Sequence, residues 1–180
     1  MKIDLTLTDN TNSYIIKNLY PLYLHDLASF NGTVPNHHGI LEDSDTIMTL
    51  ADQYNSQNAW WENPGSLFPY LILVDSIPAG FALISSPPYC CEFADYTVHE
   101  FFIINSFRGK GVGKAAARKV FEMHKGKWAL HTHASDINKP AQHFWHVLLD
   151  NFMSGDFTSS VEQTNEGMRM FFRFSNLILE

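Results

Sequence analysis

Residues 101–123 constrain this chain more than any other stretch. An apolar run, Phe101-Phe102-Ile103-Ile104, is rich in strand formers and far too short to cross a membrane. A turn follows, and then Arg108-Gly109-Lys110-Gly111-Val112-Gly113-Lys114. From Val112 the apolar residues Val112, Ala116, Val120 and Met123 fall at helical spacing with charges between them. A strand, a basic glycine-rich turn and a helix start together suit a phosphate. The first N–H groups of a helix have no intrahelical acceptors, and the helix dipole adds partial positive charge there. Glycines let an anion approach the backbone and let φ turn positive. Arg108, Lys110 and Lys114 add full charges beside those amides. The plainer alternative is an ordinary strand–helix connection with solvated lysines. It fits less well, because glycine costs about 1 kcal/mol relative to alanine within a helix.

The charge distribution narrows the ligand. Residues 1–107 carry 2 basic and 12 acidic side chains, residues 108–127 carry 7 basic and 1 acidic, and residues 128–180 carry 3 basic and 6 acidic. The net charge is −7, yet more than half of the positive charge sits on one loop and the helix after it. A nucleic-acid binder spreads a basic face along a groove. One compact basic locus in an acidic protein suits a small polyphosphate instead. The nucleotide P-loop is excluded, because its first glycine is missing and no Ser or Thr follows Lys114. Gly111-Val112-Gly113-Lys114-Ala115-Ala116 reads as G-x-G-x-x-A, with Asp136 further on where a ribose-binding acid would be sought. A dinucleotide fold is nevertheless disfavoured, since three basic residues do not belong to its logic and too little chain follows for its second half.

The loop resembles the pyrophosphate loop of the GNAT superfamily of acetyl-CoA-dependent N-acetyltransferases, Arg/Gln-x-x-Gly-x-Gly/Ala, which residues 108–113 match at each specified place. A second segment, Asn138-Lys139-Pro140-Ala141-Gln142-His143-Phe144-Trp145, is similar to that family's Asn-x-x-Ala-x-x-aromatic-aromatic helix start. The separation of the two motifs leaves room for a helix plus a strand. The resemblance implies acetyl-CoA as cofactor and an amine of a small molecule or peptide as acceptor, attacked directly in a ternary complex. It also allows a homodimer, which no residue here decides.

Period-2 and helical patterns give an element order that the family shares. Residues 1–7 read as a strand. Residues 11–30 read as a helix that Pro21 should kink or split. A loop over 31–45 precedes a second helix, capped by Ser44 or Asp45 and running to about 57. Trp60 and Trp61 fall in a loop before a hairpin, 68–75 and 79–85, turning at Ser76-Ile77-Pro78. Strand 96–104, the basic loop and its helix, strand 128–133, a helix from Pro140, and a closing strand pair, 158–163 and 168–175, complete the chain. The fold class is α/β in the α+β sense. The resemblance implies a mixed, mostly antiparallel central sheet of six or seven strands with helices on both faces, and residues 1–180 are expected to form one domain. At 45% hydrophobic the chain can bury a sizeable core. No apolar segment is long enough to span a membrane, and the polar start MKIDLTLTDN is unlike a secretory signal. Cys90 and Cys91 are adjacent and form no disulfide framework, which suits a reducing cytoplasm.

The resemblance implies that the strand ending at Ile104 splays from the strand 128–133, and that the pantetheine arm pairs with backbone groups of Phe102, Ile103 and Ile104. The pyrophosphate would sit on Arg108, Gly109, Lys110, Gly111, Val112, Gly113 and Lys114, and Asn138 and Phe144 would form the other wall. Glu100 interrupts an apolar strand just before this stretch. A carboxylate entering a cleft there is partly desolvated, which suits it to general-base work. The alternative for Glu100 is a substrate-orienting carboxylate that transfers no proton. His99 should point to the opposite face by strand alternation. Trp60, Trp61 and His131 are candidates for contact with the acceptor, the tryptophans because the segment between the family's first strands borders its acceptor pocket. His131 and His133 share a face of the next strand and are the reserve candidates for the base; no third ligand is apparent in the sequence, so no metal is expected. Trp145 occupies the slot where the family commonly has a tyrosine acid, and an indole N–H is no acid at neutral pH. The general acid therefore stays unassigned, and a catalytically idle acetyl-CoA-binding sensor or interaction module remains the alternative to an enzyme.

Overall fold

The computed structural model describes residues 1–42, 44–165 and 167–177. Asp43, in the loop 31–45, and residues 178–180 therefore lie outside the described set. Strands β1 (Ile3–Leu7), β2 (Leu67–Val74), β3 (Ile77–Ser85), β4 (Tyr96–Ile103), β5 (Lys127–His133), β6 (Thr158–Thr164) and β7 (Gly167–Ser175) form one sheet. Its order is β1-β2-β3-β4-β5-β7-β6, antiparallel throughout except where β4 lies beside β5. This is the mixed, mostly antiparallel sheet that the resemblance implied.

Alternation along each strand sorts the core onto two faces. Ile72, Ala82 and Ile84 pack on one side with Val112 and Val120 of α4 (Val112–Met123) and Leu149 of α5 (Lys139–Met153). Leu71, Phe81, Leu83 and Phe102 pack on the other with Ile16 of α1 (Tyr14–Asn31) and Trp61 of α3 (Ala59–Glu62). Each such buried aliphatic or aromatic side chain is worth about 1.5–3 kcal/mol. Burial, more than helix propensity, thus fixes where the helices lie. Among the described residues no helix is long and apolar enough to cross a membrane.

Several boundaries differ from the sequence pattern for local reasons. The first helix is not split at Pro21. It runs unbroken from Tyr14 to Asn31, held across the lost N–H bond by Ile16, Leu19, Tyr20 and Tyr23 on the second core face. The second helix, α2 (Leu50–Ser56), begins later than Ser44, because Thr49 and Asp52 form a reciprocal cap. The Asp52 N–H donates to Thr49 Oγ1 at 3.2 Å and the Thr49 N–H to Asp52 Oδ2 at 2.8 Å. The β2–β3 hairpin turns on Asp75 and Ser76, at φ 48° and 69°, so β3 already starts at Ile77. Trp60 and Trp61 lie in α3 rather than in a loop.

Candidate active site

The site begins with a mismatch of one residue. Leu83 of β3 pairs with Glu100 and Ile84 pairs with Val98, so His99 is an extra residue in β4. A bulge of this kind bends the strand and increases its twist. Immediately beyond it β4 leaves β5: the parallel ladder covers only Tyr96–Val98 against Trp128–Leu130. The opening leads into a cavity of about 910 Å³, walled by the end of β4, the end of β5, the start of α5 and the glycine loop. The expected splay is therefore present, and its cause is the bulge.

The loop is shaped by Gly109 and Gly111, at φ 72° and 79°, the second of which caps α4. The first-turn N–H groups of Val112, Gly113 and Lys114 have no intrahelical acceptors and open at the cavity edge. Two of the loop's cations are held locally. Arg108 donates from Nε to the Ile103 carbonyl at 2.7 Å, stands 5.5 Å from the Phe102 ring and pairs through Nη2 with Asp26 of α1. Lys110 donates from Nζ to the Ser106 carbonyl at 2.7 Å. Lys114 lies on the cavity wall. A Cβ on Gly113 would come within 3.3 Å of Phe144 Cε2, so this glycine sets how closely α4 approaches α5 at the cavity.

The opposite wall is equally fixed. Asn138 is 6% exposed and donates from Nδ2 to Thr132 Oγ1 at 2.6 Å and to the His133 carbonyl at 3.1 Å, tying the start of α5 to β5. Phe144 stacks on Phe101 with centroids 6.1 Å apart, and Trp145 meets Phe101 edge-on at 5.3 Å. Along β4, Phe102 and Ile104 turn their main chain toward β3. The Phe102 carbonyl lies where a Cβ on Gly80 would be, and the Ile104 N–H donates to the Ala79 carbonyl at 2.8 Å. By alternation the backbone groups facing the gap belong to Phe101 and Ile103.

The bulge also overturns the expectation that His99 and Glu100 point to opposite faces. Both point to the α1 side, because the extra residue interrupts the period of two. His99 meets Trp60 edge-on at 5.6 Å, and Glu100 accepts a hydrogen bond at Oε2 from the Tyr23 hydroxyl; Trp60 and Tyr23 pack against the same core cluster. Nearby, burial and then the charges of Glu100 and Glu42 push the Tyr20 hydroxyl up, so it stays protonated.

His131 and Glu100 reach the cavity wall together, but Trp60 and Trp61 do not. Trp61 is 8% exposed and donates from Nε1 to Thr8 Oγ1 at 3.0 Å, the partner a buried indole requires. Tyr23, Asp26 and Arg169, none of them among the expected site residues, do line the cavity. The available signals were the Tyr23 and Asp26 spacing of i, i+3 on one helix face, and Arg169 standing between two methionines in a strand of aromatics. Among the described acids of residues 1–107, only Asp26 and Glu100 reach the cavity, and Asp26 is paired with Arg108. The acidity of that half of the chain is therefore mostly elsewhere.

Comparison with known proteins agrees with this geometry. The chain is similar in structure to an acetyltransferase from Thermus thermophilus, with a TM-score of 0.64 and 14% identity over 97% of both chains. It is similar to aminoglycoside acetyltransferase AAC(6')-Ib in complex with coenzyme A and kanamycin, with a TM-score of 0.61 and 17% identity over 97% of this chain and 95% of the other. It is also similar to a spermidine N-acetyltransferase chimera of SpeG from Vibrio cholerae and hSSAT, with a TM-score of 0.60 and 10% identity over 97% and 96%. No curated protein sequence matches the chain. At these identities the solved structures establish the fold, while the family model described as Acetyltransferase (GNAT) family matches residues 37–148. The chain belongs to the GNAT acetyltransferase family.

Proposed function

We propose that the protein transfers an acetyl group from acetyl-CoA to a primary amine of a small molecule or peptide, by direct attack with both substrates bound. The observation that carries this reading is the continuous cavity running from the glycine loop, through the β4/β5 gap, to Glu100. The amides of Val112, Gly113 and Lys114 and the Lys114 ammonium would hold the pyrophosphate. The gap-facing main chain of Phe101 and Ile103 would pair with the pantetheine amides, between Phe144 and the wall that Asn138 secures. Bound there, acetyl-CoA supplies an activated acetyl group at its thioester. Glu100 receives the proton of the acceptor amine and is kept in orientation by Tyr23.

An idle acetyl-CoA-binding module is the second reading, favoured by Trp145, which is 7% exposed and packed in the core. Replacing Glu100 with Gln separates the two. Activity with an amine panel should fall about 10²–10⁴-fold at neutral pH while acetyl-CoA affinity is kept. Unchanged turnover would remove Glu100 as the base. A wild type that binds acetyl-CoA yet acetylates nothing would favour the idle module.

A further inference from the structure

Beyond Val98, strand β4 has no strand partner on its gap side, because β5 pairs with it only over Tyr96–Val98. The main-chain groups of Phe101 and Ile103 on that side therefore need other partners. The Ile103 carbonyl has one: Arg108 donates to it from Nε at 2.7 Å. The same guanidinium stands 5.5 Å from the Phe102 ring and pairs through Nη2 with Asp26. Three residues earlier on α1, Tyr23 donates to Glu100. Helix α1 thus holds residues 100–103 twice, directly at Glu100 and through Arg108 at Ile103. As a source of stability the Asp26–Arg108 pair is minor, because the two side chains are 34% and 43% exposed. Both nevertheless line the cavity, beside the amides of the glycine loop.

We propose that Asp26 is a positioning residue, which keeps Arg108 on β4 and away from the cofactor's pyrophosphate. This rests on the acetyltransferase reading above. A guanidinium matches a phosphate as well as it matches a carboxylate. With a pyrophosphate on the neighbouring amides, an Arg108 without Asp26 would turn to the phosphates and release the Ile103 carbonyl. The Asp26 carboxylate supplies a competing anion from α1, so Nε stays on Ile103. The end of β4 then keeps one geometry while the pantetheine pairs with the remaining gap-facing groups. That geometry sets the place of the thioester relative to Glu100, where a displacement of about 1 Å can cost about 100-fold in rate. Asp26 therefore lowers cofactor affinity and improves alignment, and the loop amides and Lys114 carry the pyrophosphate.

The test compares the full wild-type chain with Asp26→Asn, which keeps the shape of the side chain and removes its charge. Calorimetric titration should show acetyl-CoA bound about three- to ten-fold more tightly by the variant, a gain that fades at high salt. Turnover of a panel of alkylamines, diamines and a lysine peptide should show kcat lowered about ten-fold. Amide hydrogen exchange in the acetyl-CoA complex should quicken over residues 101–104 and not elsewhere in the sheet. A merely structural loss would instead weaken binding and activity together. Removal of a negative charge could by itself tighten binding, so the comparison is repeated in an Arg108→Met background. There Asp26→Asn should change acetyl-CoA affinity by less than about two-fold, because the arginine through which Asp26 acts is gone. The binding and exchange measurements need no acceptor, so they decide the proposal independently of the amine panel. Equal or weaker acetyl-CoA binding by Asp26→Asn would overturn it. So would a tightening that persists in the Arg108→Met background, or an unchanged kcat. A wild type that binds no acetyl-CoA would mark failure of the underlying acetyltransferase reading instead.

Discussion

The Tyr23 hydroxyl donates to Oε2 of Glu100, joining the middle of α1 to the cavity edge of β4. A hydrogen bond to an ionised carboxylate is worth about 1.5–3 kcal/mol, enough to select one orientation of the glutamate. One helical turn on, Asp26 pairs with Arg108 at the glycine loop. The same face of α1 thus contacts both ends of the site.

Tyr23→Phe removes the donor and keeps the ring that packs on Phe81 and Phe102. We expect kcat to fall about ten-fold at unchanged acetyl-CoA affinity, with about 1.5–3 kcal/mol of stability lost. Steady-state kinetics beside a calorimetric titration checks this. An unchanged kcat would mean that Glu100 needs no support from α1.

Trp61→Phe deletes the indole donor to Thr8 while keeping most of the buried surface. The expected cost is about 1–2 kcal/mol of stability, read as a drop of about 2–8 °C in the thermal midpoint. Acceptor KM should not move. A raised KM at unchanged stability would return Trp61 to the acceptor pocket.

His124 sits among aromatic rings, its Nε2 2.8 Å from the Tyr70 hydroxyl, with Phe68 and Tyr96 centroids at 4.9 and 4.8 Å. Burial holds it below its ordinary value of 6.5. The unfolded chain therefore takes up a proton at this residue at higher pH than the folded chain does. The stability contribution is complete above about pH 6.5 and is lost as the pH falls below it. Urea unfolding of wild type and His124→Phe across that range should show a shallower acid decline in the variant. Identical slopes would place the acid sensitivity elsewhere.

The helix and strand identities were legible because apolar period and loop chemistry agreed, as in the run from Phe101 to Val120. The positions of Gly111 and Asn138 followed from motifs whose spacing is rigid. The side on which His99 lies was not legible. A bulge is one residue of register between two strands, and nothing in the order Val98-His99-Glu100 marks it. Trp61 was misplaced because an indole satisfied by a threonine more than fifty residues away leaves no local pattern. Arg169 was passed over because β7 reaches the cavity only through its place beside β5, which is a property of sheet order.

The central claim is that the β4/β5 gap and the glycine loop form one acetyl-CoA site. Calorimetric titration of acetyl-CoA into wild type and Gly113→Val tests it most directly, with circular dichroism confirming the fold of both. A Cβ at this position already meets Phe144 at 3.3 Å, so valine must push into the space between α4 and α5. The account predicts saturable binding at one site per chain, weakened at least about ten-fold in the variant. No binding by the wild type, or equal binding by a folded Gly113→Val protein, would contradict it.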